Sequence, residues 1–128
     1  MIKVVRYGEA GPGPAGSAMT VEFELQGQKF VGLNGGPHFK FTEAISFVVN
    51  CETQEEVDRY WEKLSAGGTE VQCGWLKDQF GLSWQIVPTA LPKLLSDPDP
   101  VKAGRVMKAM MTMTKIDIRG LEQARDNV

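Results

Sequence analysis

The chain has 128 residues, 42% of them hydrophobic and 23% charged, and a net charge of -2 at pH 7. Those values suit one globular domain with a real core. They exclude a basic nucleic-acid surface, which needs clustered Lys and Arg, and no apolar run approaches the ~20 residues that cross a bilayer as a helix.

Residues Ile2 to Tyr7 form a β-branched run and read as a strand. Gly8 to Gly16 holds too many Gly and Pro residues for any regular element. From Met19 to Leu25, apolar Met19, Val21, Phe23 and Leu25 alternate with Thr20, Glu22 and Glu24, the period of a half-buried strand. Gln26-Gly27-Gln28 makes a hairpin turn and Lys29 to Asn34 returns as the next strand. Asn34 to His38 is a second loop. Phe41 to Cys51 predicts another strand, with Phe41, Glu43, Ile45, Phe47 and Val49 on one face and Ala44, Ser46 and Val48 on the other. Two largely apolar faces make it an expected central strand.

A helix is predicted over 54–66. Thr53 and Glu56 have the spacing of a capping box, and Val57, Tyr60, Trp61 and Leu64 make one apolar face. Gly67-Gly68 supplies the left-handed stop. Strand 69–76, a turn over Lys77 to Gly81, and strand 82–88 follow. The last third is helical. A short helix spans Ala90 to Leu95, and Asp97-Pro98-Asp99-Pro100 ends it and starts the next. Ala103, Val106, Met107, Met110 and Met113 line a face of helix 100–113, most simply for core or subunit packing. Asp117 is the expected cap of a final helix reaching Arg125.

Few residues carry reactive chemistry. Cys51 and Cys73 are too few for a disulfide framework or a zinc site and read as partly buried thiols. The one histidine, His38, is either a loop side chain bonded to backbone or a cleft contact. Trp75 and Trp84 lie on adjacent strands of the last hairpin, as core residues or as walls of an aromatic pocket. Gln85 and Asp78 would be polar groups of such a pocket, although Asp78 also suits a plain turn. Met1-Ile2-Lys3-Val4 has no signal-peptide pattern, so a cytoplasmic location is expected.

Asp78-x-x-Gly81 followed four residues later by Gln85 resembles the last hairpin of a βαβββ module in the glyoxalase and extradiol-dioxygenase (vicinal-oxygen-chelate) superfamily, whose metal-dependent members carry a Glu at the last position. Tyr7-Gly8-Glu9, Leu33 to Phe41, Gly74 to Asp78 and Trp84 to Pro88 are similar to the PhnB-like branch, often labelled a 3-demethylubiquinone-9 3-methyltransferase domain. The likeness spans roughly residues 3 to 125. It implies an α+β fold of paired βαβββ modules: 1–41 a partial first module lacking its opening strand and helix, 42–89 the second module, and 90–128 a helical tail. It also implies a homodimer, because a missing strand leaves a sheet edge for a partner chain to cover.

The family's metal positions in the second module resemble Ala44 and Gln85. Ala44 cannot ligate, and a neutral amide offers no charge to offset metal dehydration. A single His also excludes a two-His-one-carboxylate site within one chain. The expectation is therefore a dimeric small-molecule-binding domain with no cofactor, no nucleic acid and no membrane partner. Its cleft would hold a small apolar or aromatic molecule near Asn34, His38, Trp75, Trp84 and Gln85. The alternative is a metal-dependent lyase, isomerase or dioxygenase whose site is completed across the dimer. Glu22 and Glu24 are available carboxylates for it, although they also read as the solvated face of a strand. An enzyme using S-adenosylmethionine, as the methyltransferase label would require, usually has a Gly-rich strand-to-helix turn; neither Gly8 to Gly16 nor Gly32 to Gly36 opens a helix.

Overall fold

Alternating residues in the first forty positions become a three-stranded antiparallel sheet: β1 (Lys3–Arg6), β2 (Ala18–Leu25) and β3 (Gln28–Leu33), in the order β1-β2-β3. The computed structural model describes residues Met1–Val128, which divide into two units, Met1–Lys40 and Phe41–Val128. In the first unit, Val4 pairs with Val21, Val21 with Gly32 and Phe23 with Phe30, so these residues share one sheet face. The Phe23 and Phe30 rings stack at 5.4 Å. Gln26 and Gly27 both have positive φ, 48° and 81°, as a two-residue hairpin loop requires.

The Gly/Pro loop between β1 and β2 is built around Tyr7, the one buried residue of this unit. Tyr7 exchanges backbone hydrogen bonds with the loop's far end, from Tyr7 N to Ser17 O and from Gly16 N to Tyr7 O. A Cβ on Gly13 would sit 2.4 Å from the Tyr7 ring, so only glycine lets the backbone lie against it. The Tyr7 hydroxyl donates to the Asn34 carbonyl.

The second unit holds β4 (Ser46–Cys51), α1 (Gln54–Ser65), β5 (Thr69–Glu70), β6 (Trp75–Lys77), β7 (Ser83–Pro88), α2 (Ala90–Leu95), α3 (Pro100–Met111) and α4 (Ile118–Asp126). Its sheet has the order β4-β7-β6-β5. β4 and β7 are parallel and the other neighbours antiparallel, so β4 to β7 with α1 form one βαβββ module. Half of the predicted capping box forms at α1: the Thr53 hydroxyl accepts from Glu56 N at 3.2 Å, while the Glu56 carboxylate accepts from Glu52 N at 2.9 Å, one residue before the cap. Val57 and Trp61 then bury against Cys51, Leu76 and Ile86, with Val49, Tyr60, Leu64 and Trp84 packed around them.

Four expectations need correction. The strand predicted over 41–51 begins only at Ser46 and lies at the sheet's edge; the inner position belongs to β7. The apolar residues Phe41 and Ile45, which suggested a longer buried strand, are exposed. The strand predicted over 69–76 is two strands. Positive φ at Cys73 (60°) and Gly74 (82°) breaks the run, and Val71 N donates to Trp75 O across the break. Asp117 occupies the N-cap of α4 without a side-chain cap hydrogen bond, and Met107, assigned to the apolar face of α3, is exposed.

The helical tail has its own core of Leu91, Leu94, Val106, Ile116 and Leu121, joined by Val87 of β7. Gln54 ties tail to module: its Nε2 donates to Ile116 O at 3.0 Å and its Oε1 accepts from Ile118 N at 2.8 Å, the pattern of a backbone rung. Cys73 N and Gly74 N donate to Met113 O and Thr114 O, both at 2.8 Å. No helix is long and apolar enough to cross a membrane.

Candidate functional site: the open face of the second sheet

Side chains alternate along β7, and the two sets meet different surroundings. Trp84 and Ile86 join the cluster under α1. Ser83, Gln85 and Val87 therefore point to the opposite face. Strand register completes that face. Ser83 lies between Ser46 and Lys77, Gln85 between Val48 and Trp75, and Val87 beside Asn50. At one end, Val87 packs into the tail's core. The other end carries polar groups.

Those polar groups are nearly all paired with one another. Gln85 Nε2 donates to Ser46 Oγ at 2.9 Å. The Lys77 ammonium donates to the Glu43 carboxylate. That hydrogen bond, aided by the Glu43 backbone and the Lys77 charge, holds the Glu43 carboxyl below the usual carboxylate range. Ser83 is the exception. It is 1% exposed, and its hydroxyl has no hydrogen-bond partner. A buried hydroxyl left unpaired costs about 1–3 kcal/mol. Sequence reasoning did not single out Ser83, although counting back two residues from Gln85 would have put it on the same face.

Within the second unit, the structure brings together two of the three predicted site residues that lie there. Trp75 and Gln85 are cross-strand neighbours on the open face. Trp84 lies on the other face, edge-on to Phe47 with ring centroids 5.4 Å apart. Its Nε1 donates to Asp78 Oδ2 at 3.0 Å, while Asp78 Oδ1 accepts from Phe80 N and Leu82 N. Asp78 thus shapes the turn and anchors Trp84. Asn34 and His38 belong to the first unit. Asn34 ties strands together there, with its Nδ2 donating to Ala18 O at 3.0 Å and its N to Met19 O. His38 is exposed in the loop after β3.

The β4 side chain that bonds Gln85 is that of Ser46, whereas Ala44 lies before the strand and is exposed. The Ser46–Gln85 contact joins a hydroxyl to a neutral amide, a donor set without charge and poorly suited to a divalent cation. No group of three His, Cys, Asp or Glu side chains is placed to hold a metal ion. Glu22 and Glu24 stand across from Lys3 and Lys29 on neighbouring strands. Cys51 is buried, and desolvation, reinforced by the charge of Glu56, raises its thiol pKa.

The sequence model of the 3-demethylubiquinone-9 3-methyltransferase family matches residues 1–87. Among solved structures, a putative 3-demethylubiquinone-9 3-methyltransferase, PhnB protein, from Bacillus cereus is 35% identical, with 69% of this chain and 78% of that chain covered and a TM-score of 0.63. Protein PA1353 from Pseudomonas aeruginosa is 18% identical, with 62% and 71% covered and a TM-score of 0.48. No curated protein matches the chain. The βαβββ topology, the family match through β7 and the likeness to the Bacillus cereus protein agree: this chain belongs to the 3-demethylubiquinone-9 3-methyltransferase family, in its PhnB-like form with a glyoxalase-type α+β fold.

Proposed function

We propose that the chain is a homodimeric small-molecule-binding domain that holds an apolar or aromatic ligand on the open face of the β4-β7-β6-β5 sheet, without a metal site of its own. The observation that carries this reading is Ser83, a buried hydroxyl without a partner beside Gln85 and Trp75. Ligand sites combine apolar walls with a few polar groups whose bonding is completed by the ligand. Trp75 supplies the wall, Gln85 and Ser83 the polar groups. Trp84 acts from the other face by holding the hairpin in register.

Dimerisation is supported by β3. It lies at an edge of its sheet, with Val31 64% and Leu33 71% exposed, and such edges invite pairing. The methyltransferase of the family's name is not the favoured activity. The turn from β4 into α1 is Glu52-Thr53, acidic rather than the Gly-rich turn of nucleotide-type cofactor sites.

The test is elemental analysis of tag-free protein, melting curves with Mn²⁺, Fe²⁺, Co²⁺, Ni²⁺ and Zn²⁺, and light scattering at micromolar concentration. The expected result is no stoichiometric metal, no concentration-dependent rise in melting temperature, and a dimer mass. Stoichiometric metal would replace this reading with a metal-dependent enzyme that completes its ligand set across two chains. A monomer mass would remove the dimer.

A further inference from the structure

We infer that the ligand of this face is an uncharged aromatic amide, a planar ring carrying an adjacent carbonyl and N–H as in a carboxamide or lactam, read by Ser83 and Gln85. The inference rests on the open face being the ligand site, and it follows from which polar atoms are left over there.

Charge is the first filter. Lys77, the cross-strand neighbour of Ser83, is paired with Glu43. Neither of these two groups offers an anion or a cation a free counter-charge, and bringing a charged group to a half-buried surface without one is strongly unfavourable.

Hydrogen-bonding capacity is the second filter. Gln85 uses its Nε2 on Ser46 Oγ, which fixes the amide and leaves its Oε1 as an acceptor. Ser46 is the Cα partner of Ser83, so the Gln85 amide leans toward the rung of the unpaired hydroxyl. Ser83 Oγ has almost no exposed surface, so a ligand reaches it only as the side chains covering it give way; a carbonyl then accepting from Ser83 Oγ and an N–H donating to Gln85 Oε1 satisfy both, and an amide presents those two atoms side by side. Trp75, across from Gln85, offers a flat apolar surface for the attached ring. A hydroxyl that is costly when unpaired gains most from such a ligand, because binding removes the penalty as well as adding a bond.

Three probes of similar size test this on the whole 128-residue chain: benzamide, benzoate and benzylamine, each at millimolar concentration. The readouts are the tryptophan indole resonances and the melting temperature. Benzamide is expected to move the Trp75 indole, leave those of Trp61 and Trp84 in place, and raise the melting temperature; benzoate and benzylamine are expected to do neither. Ser83→Ala is expected to melt a few degrees higher, since it deletes an unpaired buried group, and to weaken benzamide by about tenfold, the worth of one hydrogen bond. Benzoate or benzylamine binding as well as benzamide would overturn the neutral-amide inference and leave the binding reading standing. Unchanged benzamide affinity in Ser83→Ala would overturn the role of Ser83. No response to any probe would overturn the inference and count against the binding reading too, which the metal analysis then decides.

Discussion

The two faces of the β4-β7-β6-β5 sheet use neighbouring residues of the same strands to opposite ends. Under α1, Leu76 and Ile86 are fully buried among apolar neighbours, and burial there is stabilising in proportion to the area removed from water. On the other face Ser83 is as deeply buried, but its hydroxyl has no partner. Equal depth therefore carries opposite signs of free energy. A folded chain tends to break its own local rules where something other than stability is at stake, and this is why the open face, rather than the better-packed one, is the candidate site.

The largest expected effect tests the packed face. Leu76→Ala should cost about 2–5 kcal/mol in urea unfolding, the range for a truncated core leucine. Val48→Ala, on the open face and half exposed, should stay within about 0.5 kcal/mol. Similar losses at the two positions would mean that both faces are core and the contrast is false. Next comes the junction with the tail, which closes the open face at its Val87 end. Gln54→Ala strands the Ile116 carbonyl and the Ile118 N–H, and should cost about 1–3 kcal/mol. Limited proteolysis should then cut within residues 112–118 before the module unfolds. Unchanged cleavage kinetics would show that the backbone bonds from Cys73 and Gly74 suffice.

The tryptophans divide along the same line. Trp84→Phe loses the indole bond to the Asp78 carboxylate, worth about 1.5 kcal/mol at a half-buried site. Trp75→Phe should leave stability nearly unchanged and lower only ligand affinity. A larger stability loss at Trp75 than at Trp84 would reverse the assignment of faces.

Smaller still is the effect of Cys51, on the packed face. Folding raises its thiol pKa by desolvation, so its contribution is fully present below the unfolded thiol's pKa, about 8.5. It is lost as pH climbs from there through the raised folded value. Denaturation curves across the alkaline range should fall more steeply for the native chain than for Cys51→Ala; parallel curves would remove this assignment.

Much of this architecture was legible in the sequence, for reasons that also mark the limit. α1 announced itself through a capping box and an apolar stripe, and the boundary between α2 and α3 through Asp97-Pro98-Asp99-Pro100, all local signals. The first sheet was legible because its alternation and its Gly27 turn are local too. The end of β4 was not, because the alternation of Phe41, Glu43 and Ile45 continues into residues that the sheet does not use. Neither was the break at Cys73, since a positive φ at a non-glycine residue leaves no compositional mark. The site was half legible. Gln85 and Trp75 stood out by residue type, but placing Trp84 on the opposite face requires the hairpin register, which is set by the Asp78 turn. Ser83 was invisible because a serine in an alternating strand reads as solvent-facing; only the fold shows that it is buried.

The smallest expected effect on stability is the most telling about the open face. Glu43 is exposed, and Lys77 holds its pKa low. Its pairing is intact above the ordinary carboxylate range and is lost as pH falls through the lowered folded value. An exposed pair of this kind contributes little to folding, so Glu43→Gln should leave the melting temperature unchanged. Its consequence is electrostatic: the substitution leaves Lys77 as an uncompensated cation beside Ser83. Benzoate should then gain on benzamide, whereas the native face prefers the neutral probe. If benzamide keeps its advantage in Glu43→Gln, the Lys77–Glu43 pair is not what keeps the face neutral, and the preference has to come from the Ser83 and Gln85 hydrogen bonds alone.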